Sequence, residues 1–235
     1  PGWAVGADLA GGEPNAGWGS GDWFVVEADE SDRSLLALAP TVAVVTNCEL
    51  DHHATYGSIT DLRATLAEFL GSASHAVVWN GDDLVALVPD GVEAVVYDAG
   101  DARSAPDGTT FDWHGRTVRL AVPGVHNAIN AAGALEAARI AGAEVEGAVE
   151  GVSGFRGTGR RFQQVGAAPC GAVVIDDYAH HPTEVAATIA AARSLGPSRV
   201  LAVFQPHLFS RTEAFAAEFG AALSEADSAW VLDVY

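Results

Sequence analysis

Short β-branched runs recur along this chain with helical stretches between them, and this alternation restricts the fold more than any other feature. A strand–helix–strand order returns each strand parallel to the last, because the helix crosses back over the sheet. Strands are expected at residues 23–26, 42–45, 76–79 and 94–97, and helices at 31–38, 59–70 and 82–87. Ser31-Asp32 opens the first of these helices with side-chain oxygens suited to capping. Residues 109–113 and 117–122, separated by His114-Gly115-Arg116, read as a hairpin. Pro123-Gly124 then breaks the chain, and Ala-rich helices follow at 127–141 and 144–152. The Gly-rich stretch 153–159 is the linker candidate. Beyond it come a strand at 172–176, a helix at 183–194, a strand at 200–204, a helix at 212–223 and a last strand near Ala229. The fold class is therefore α/β with a mainly parallel sheet, divided into units of residues 1–155 and 156–235.

Acidic residues outnumber basic ones 31 to 12, for a formal charge of −19. That excludes a general nucleic-acid or anionic-membrane binder, whose surface needs a basic field. All twelve basic residues are Arg, so no Walker-type lysine and no lysine Schiff base is present. There is no Met either, so this sequence is expected to be a segment of a longer protein, with the first twenty residues as its cut edge. Cys48 and Cys170 lie far apart and form no Cys-x-x-Cys pair, which argues against a disulfide framework or structural zinc and for a reduced cytosol. No apolar run is long enough for a bilayer and no signal-peptide pattern opens the chain, so a cytoplasmic location without membrane insertion is expected.

Polar strings gather where strands should end, the edge at which α/β proteins place ligands. One is Glu27-Ala-Asp-Glu-Ser-Asp32; another is Thr46-Asn47-Cys48-Glu49-Leu50-Asp51-His52. If their strands are neighbours, roughly 4.8 Å apart, Glu27 and His52 converge on one cation. The plainer alternative is a helix-capping cluster for Asp29, Ser31 and Asp32 and a surface-loop histidine at 52. Oxygen ligands suit Mg²⁺, whereas imidazole leans towards Mn²⁺ or Zn²⁺, so the donor set leaves the metal open. His53 should face away from His52. Asn127 and Asn130, three apart on one helix face, can donate to and accept from a purine edge, or else serve as a cap and a solvated residue. Arg160-Arg161 suits bidentate phosphate recognition, with salt bridges to local acids as the alternative. Asp176-Asp177-Tyr178-Ala179-His180-His181-Pro182-Thr183 enters a helix that holds Pro182 in its first turn. Gln205-Pro206-His207-Leu208-Phe209-Ser210-Arg211-Thr212 occupies the equivalent place one strand later. Two such turns on adjacent strands would build a polar pocket; packing of His207 beneath its turn is the plainer reading.

Six strings occur in order: Glu-Ala-Asp-Glu-Ser-Asp, Thr-Asn-x-Glu-x-Asp-His, Pro-Gly-x-His-Asn-x-x-Asn, Gly-Thr-Gly-Arg-Arg-Phe, Asp-Asp-Tyr-Ala-His-His-Pro-Thr-Glu and Phe-Gln-Pro-His-x-Phe-Ser-Arg-Thr. From about Gly21 to Tyr235 the chain resembles the Mur ligases, and among them the branch that joins L-alanine to UDP-N-acetylmuramate. The resemblance implies a central ATPase domain, incomplete at its start, followed by the first half of a Rossmann-like ligase domain. It implies ATP and Mg²⁺ as cofactors and an acyl phosphate formed on the muramate carboxylate. By the family pattern Glu27 and His52 hold the magnesium, Asn127 and Asn130 sit at the nucleotide, and His126 lies beside the adenine. Arg161 and Asp177 would meet the nucleotide when the second domain closes, and closure would shield the acyl phosphate. Tyr178, His180, His207 and Arg211 would line the pocket for L-alanine and the lactyl carboxylate. Two departures stand out: the glycine-rich phosphate loop with its lysine is not in this sequence, and Leu208 stands where an arginine is often found. A tripeptide-recycling ligase and a non-catalytic nucleotide-binding remnant are the competing readings, and the oligomeric state is left open.

Overall fold

In the computed structural model, which describes residues 1–235, one short strand organises the first two-thirds of the chain. Within His75–Trp79, Ala76, Val77 and Val78 are all fully buried. Ala76 and Val78 belong to one core and Val77 to another. Successive side chains of a strand point to opposite faces, so an all-apolar run of this kind needs a helix on each side.

In chain order, β1 (Gly2–Ala4), β2 (Ala16–Gly17) and β3 (Phe24–Val26) form a small sheet in the order β2-β1-β3, with β1 and β3 parallel. Next, β4 (Val42–Val45), β5 (His75–Trp79) and β6 (Glu93–Tyr97) form a parallel sheet, and α1 (Ile59–Gly71) is the crossover between the first two. The strands β7 (Arg103–Ala105), β8 (Gly108–Trp113) and β9 (Arg116–Leu120) make an antiparallel meander, followed by α2 (Val125–Ile140) and α3 (Val145–Gly154). Then β10 (Gln163–Ala167) pairs antiparallel with β11 (Val173–Asp176). The chain ends with α4 (Pro182–Ser194), β12 (Leu201–Phe204), α5 (Phe209–Ala214), α6 (Ala216–Ser224) and β13 (Ser228–Val231), the last parallel to β12. The α/β class with parallel pairing thus holds. A third core, around Val185, Ile189, Phe204 and Phe219, belongs to this last stretch.

The helices obey local rules. Ser58 caps α1 by accepting from the Asp61 N–H, and Leu62, Leu66, Phe69 and Leu70 form its buried stripe. On α2 the stripe is Ala128, Ala131, Ala132 and Leu135. Gly133 lets this helix lie close on β6, since a Cβ there would stand 2.7 Å from Tyr97 Cζ.

Several expectations are corrected. Residues 31–38 hold only a 3-10 turn, Ser34–Ala37. Asp29 and Asp32 accept from the Ser31 and Ser34 N–H groups, both at 2.8 Å, and such local turns compete with a helix. Residues 82–87 shrink likewise to a 3-10 turn at Leu84–Leu87, behind left-handed Asp82 and Asp83. The helix at 212–223 is broken at Phe215, whose ring packs against His53, His181 and Phe219. Neither β3 and β4 nor β11 and β12 are hydrogen-bonded neighbours, so the adjacency assumed for their ends does not exist. The stretch 153–159 is no free linker: Ala10 N–H donates to Gly157 O and Gly159 N–H to Asp8 O.

One buried charge lies in the second core. The Glu136 side chain is 5% exposed and takes Trp113 Nε1–H at 2.9 Å, His114 Nε2 at 2.6 Å and Arg139 Nε–H at 2.9 Å. Burial pushes its pKa up, but the bonds from Arg139, His114 and Trp113 outweigh that and hold it below the usual range. A carboxyl lowered in the folded state stabilises fully above its unfolded pKa, about 4.3, and loses that contribution as pH falls through the lower folded value. Replacing Glu136 by Ala leaves the indole N–H without a partner and should cost about 2–3 kcal/mol, some 5–10 °C in Tm. The deficit of Glu136→Gln relative to the parent should shrink between pH 7 and pH 3; equal deficits in thermal melts at both pH values would contradict the assignment.

Candidate active site

A cleft of about 2190 Å³ opens between the first two-thirds of the chain and the last third, and every site residue expected from the sequence lines it. Its walls come from the segments after β3 and β4, the start of α2, and the turns after β11 and β12.

At α2, Gly124 is the N-terminal residue at φ 107°, where a Cβ would stand 2.4 Å from His126 Cε1. Glycine is needed there on both counts. Asn127 Nδ2 donates to Pro123 O at 2.7 Å, so its amide group closes the turn, the plainer role weighed for it, while its carbonyl oxygen makes no hydrogen bond within the protein. Asn130 is exposed one turn on. Burial pushes the His126 imidazole pKa down; the Asp177 carboxylate opposes this and the Arg161 guanidinium adds to it. The net lowering keeps His126 neutral at pH 7, and the three groups share one local field.

Both oxygens of Asp177 are engaged by backbone, Oδ2 by Phe162 N–H at 2.8 Å and Oδ1 by Ala179 N–H at 2.7 Å. Asp177 therefore ties the turn after β11 to the arginine stretch. Arg161 Nη1 donates to Glu184 at 3.1 Å, and Arg160 lies 3.6 Å from Asp176, so local salt bridges do exist for this pair. Arg160 also stacks on the Tyr178 ring at 4.6 Å. Glu184 Oε2 accepts from the His180 and His181 N–H groups at 2.8 and 3.1 Å, which fixes the start of α4. Tyr178 packs edge-on against His180, with centroids 5.1 Å apart.

Arg211 on α5 is 4% exposed. It forms a bidentate pair with Asp51, Nε to Oδ1 at 2.8 Å and Nη2 to Oδ2 at 2.9 Å, and its Nη1 lies 3.3 Å from His207 Nδ1. Asp51 Oδ2 lies 3.8 Å from His180 Nε2. Burial raises the Asp51 pKa, yet the Arg211 bonds and the His52 N–H more than reverse it, so Asp51 stays ionised at neutral pH. Leu208, at the start of α5, adopts φ 68°, unusual for a branched residue, and its N–H reaches Tyr235 O at 3.0 Å.

Glu27 and His52 make separate contacts within the protein. His52 Nε2 meets Glu30 at 3.2 Å, and Glu27 accepts from the Gly6 N–H. Glu27 and His52 share the cleft, but no three His, Cys, Asp or Glu side chains converge as a metal cage. His53 turns instead to Phe215, with ring centroids 5.4 Å apart.

Sequence reasoning passed over Glu49 and Asp51. Glu49 lies 3.0 Å from His181 Nδ1, and that hydrogen bond, against the opposing effect of burial, holds its pKa down. Glu49, Asp51 and His53 alternate at spacing two, and each meets the last third of the chain. That spacing was the available signal.

The Mur ligase middle domain family matches residues 19–138, and the Mur ligase glutamate ligase domain family matches residues 160–234. A UDP-N-acetylmuramate–L-alanine ligase of Mycolicibacterium gilvum is 46% identical over 261 residues, spanning 100% of this chain and 55% of that protein. The corresponding protein of Mycobacterium marinum is also 46% identical, over 100% of this chain and 54% of its own length. The chain thus spans about half the length of the curated relatives it matches. The crystal structure of a UDP-N-acetylmuramate–alanine ligase from Thermotoga maritima superposes with a TM-score of 0.79 at 27% identity, over 100% of this chain and 55% of that one. A murein peptide ligase from Psychrobacter arcticus, at 19% identity and a TM-score of 0.62 over 99% of this chain and 63% of its own, shares the fold alone. Matched by one domain family through its first core strands and by the other beyond residue 160, the chain belongs to the Mur ligase family.

Proposed function

We propose that this chain forms the nucleotide-handling and amino-acid-handling walls of a cytoplasmic, ATP-dependent ligase that joins L-alanine to UDP-N-acetylmuramate in peptidoglycan synthesis. The observation that carries the reading is the single cleft shared by the α2 start and by the turns after β11 and β12. Residues 1–155 are read as the nucleotide unit and 156–235 as the amino-acid unit.

In this reading the muramate carboxylate takes the γ-phosphoryl group of ATP and ADP leaves; the L-alanine amine then attacks the carbonyl carbon of the acyl phosphate, phosphate leaves with its electron pair and the amine gives up a proton. Asn127 and Asn130 present amide groups to the base, with neutral His126 beside it. Arg161 exchanges Glu184 for phosphate oxygens and so balances charge that builds during transfer. Tyr178, His180, His207 and Arg211 hold the carboxylates at the other end, and the surrounding walls keep water from the acyl phosphate. Glu27 and His52 offer a carboxylate and an imidazole on one wall, a donor set that leaves the metal open; Mg²⁺, taking its other ligands from phosphate and water, is the ion that the family resemblance implies. Bound there, Mg²⁺ would neutralise phosphate charge.

In the protein extended to the length of its relatives, phosphate release should require ATP, Mg²⁺, UDP-N-acetylmuramate and L-alanine together. Equal release with an intact tripeptide in place of L-alanine would favour the recycling reading, and no release at all would favour the nucleotide-binding remnant. Glu27→Gln, which keeps an acceptor for the Gly6 N–H, and His52→Ala should each abolish Mg²⁺-dependent turnover while leaving Tm within a few degrees; near-normal rates at millimolar Mg²⁺ would remove them from the metal site. Arg211→Lys keeps the charge but loses the fork, and should raise the L-alanine KM about ten- to a hundred-fold with little change in the ATP KM. Equal rises in both would make Arg211 a closure residue instead.

A further inference from the structure

The Asp51–Arg211 pair joins residues 160 positions apart, across the cleft between the two walls. It is the most buried ion pair between them: the Arg211 side chain is 5% exposed and the Asp51 side chain 15%. A guanidinium carries five N–H donors in a rigid plane. Asp51 takes the side edge, formed by Nε and Nη2, and His207 Nδ1 lies against Nη1. Asp51 leaves one N–H on Nη2 and His207 leaves one on Nη1, donors from which a carboxylate can accept. Arg211, His180 and His207 all line the cleft, so the guanidinium borders space large enough for a small amino acid.

The loop that carries Asp51 is itself anchored on both sides. Glu49 reaches His181 at 3.0 Å, and the His53 ring packs on Phe215. On the opposite side, left-handed Leu208 starts α5 so that Arg211 follows one turn later. Asp51 is thereby flanked on both sides by residues that also contact the last third of the chain.

We propose that Asp51 is a positioning residue for the amino-acid substrate: by occupying the side edge of Arg211 it fixes the guanidinium plane and leaves only the remaining Nη1 and Nη2 donors for the substrate carboxylate. The proposal rests on the reading of Arg211 as a carboxylate holder. It goes beyond that reading by making the orientation of this arginine depend on the opposite wall of the cleft, so that the carboxylate site is complete only when the two walls meet.

The test is steady-state kinetics on the protein at the length of its relatives, with L-alanine and ATP varied in turn. Asp51→Asn should raise the L-alanine KM about ten- to a hundred-fold, because a fork misplaced by about 1 Å loses its alignment, while the ATP KM stays within about two-fold. In an Arg211→Lys background, where no fork exists to orient, Asp51→Asn should add almost nothing. If Asp51→Asn does not fold by thermal melt, Asp51→Glu is read in its place, since its extra methylene displaces the guanidinium but keeps the charge, and the same split is required. Unchanged KM values, KM values that rise together, or a full additional effect on top of Arg211→Lys would each overturn the proposal. The parent protein is the control that separates the two levels. A parent that fails to use L-alanine overturns the functional reading and the proposal with it, whereas a working parent with indifferent Asp51 variants overturns the proposal alone.

Discussion

The burial of β5 on both faces is the constraint from which the rest of this wall of the cleft follows. Because Ala76 and Val78 feed one core and Val77 the other, β5 needs a strand on each side and a helix over each face. The α1 helix covers the first core, through Leu62, Leu66, Phe69 and Leu70. The second is covered by α2, pinned along Ala128, Ala131, Ala132 and Leu135. With that stripe committed to the core, the helix turns Asn127 and Asn130 towards the cleft. The position of the polar groups is thus a consequence of apolar packing a turn or two away, and the geometry of the site inherits the rigidity of the core.

The two walls meet differently. Glu49, Asp51 and His53 make a carboxylate–imidazole pair, a bidentate ion pair and a ring contact with His181, Arg211 and Phe215. Buried polar groups demand specific partners, so this seam admits few relative orientations of the walls. Because it is built from charges more than from apolar area, it also costs less to open than a core does. The backbone hydrogen bonds from Ala10 to Gly157 and from Gly159 to Asp8 fasten the same two walls near residues 157–159.

Much of this was legible from residues alone. The strand at 42–45 and the helix beginning at Ile59 follow from β-branched runs and an apolar period. The stretches read wrongly fail for local reasons. The oxygens of Asp29 and Asp32 satisfy backbone N–H groups that a helix from residue 31 would have needed. The Gln163-Gln164 start and Gly166 of β10 lack the β-branched signal that marks a strand. Phe215 looks like one more apolar position of a helix, and only its neighbours His53 and His181 explain the break there.

The sequence by itself determined the central strands β4, β5 and β6, the long helices α1, α2 and α4, and which turns carry polar groups, because periodicity and turn chemistry depend on residues within about one helical turn of each other. It also placed those turns at strand ends, and the cleft collects them all. Only the tertiary structure decided the pairings. His52 faces Glu30 rather than Glu27, Arg161 faces Glu184, and Arg211 faces an aspartate 160 residues away. Such choices depend on distances of a few ångströms between segments that are not hydrogen-bonded neighbours, and a Coulomb or hydrogen-bond energy that falls off over that range leaves no trace in local sequence pattern.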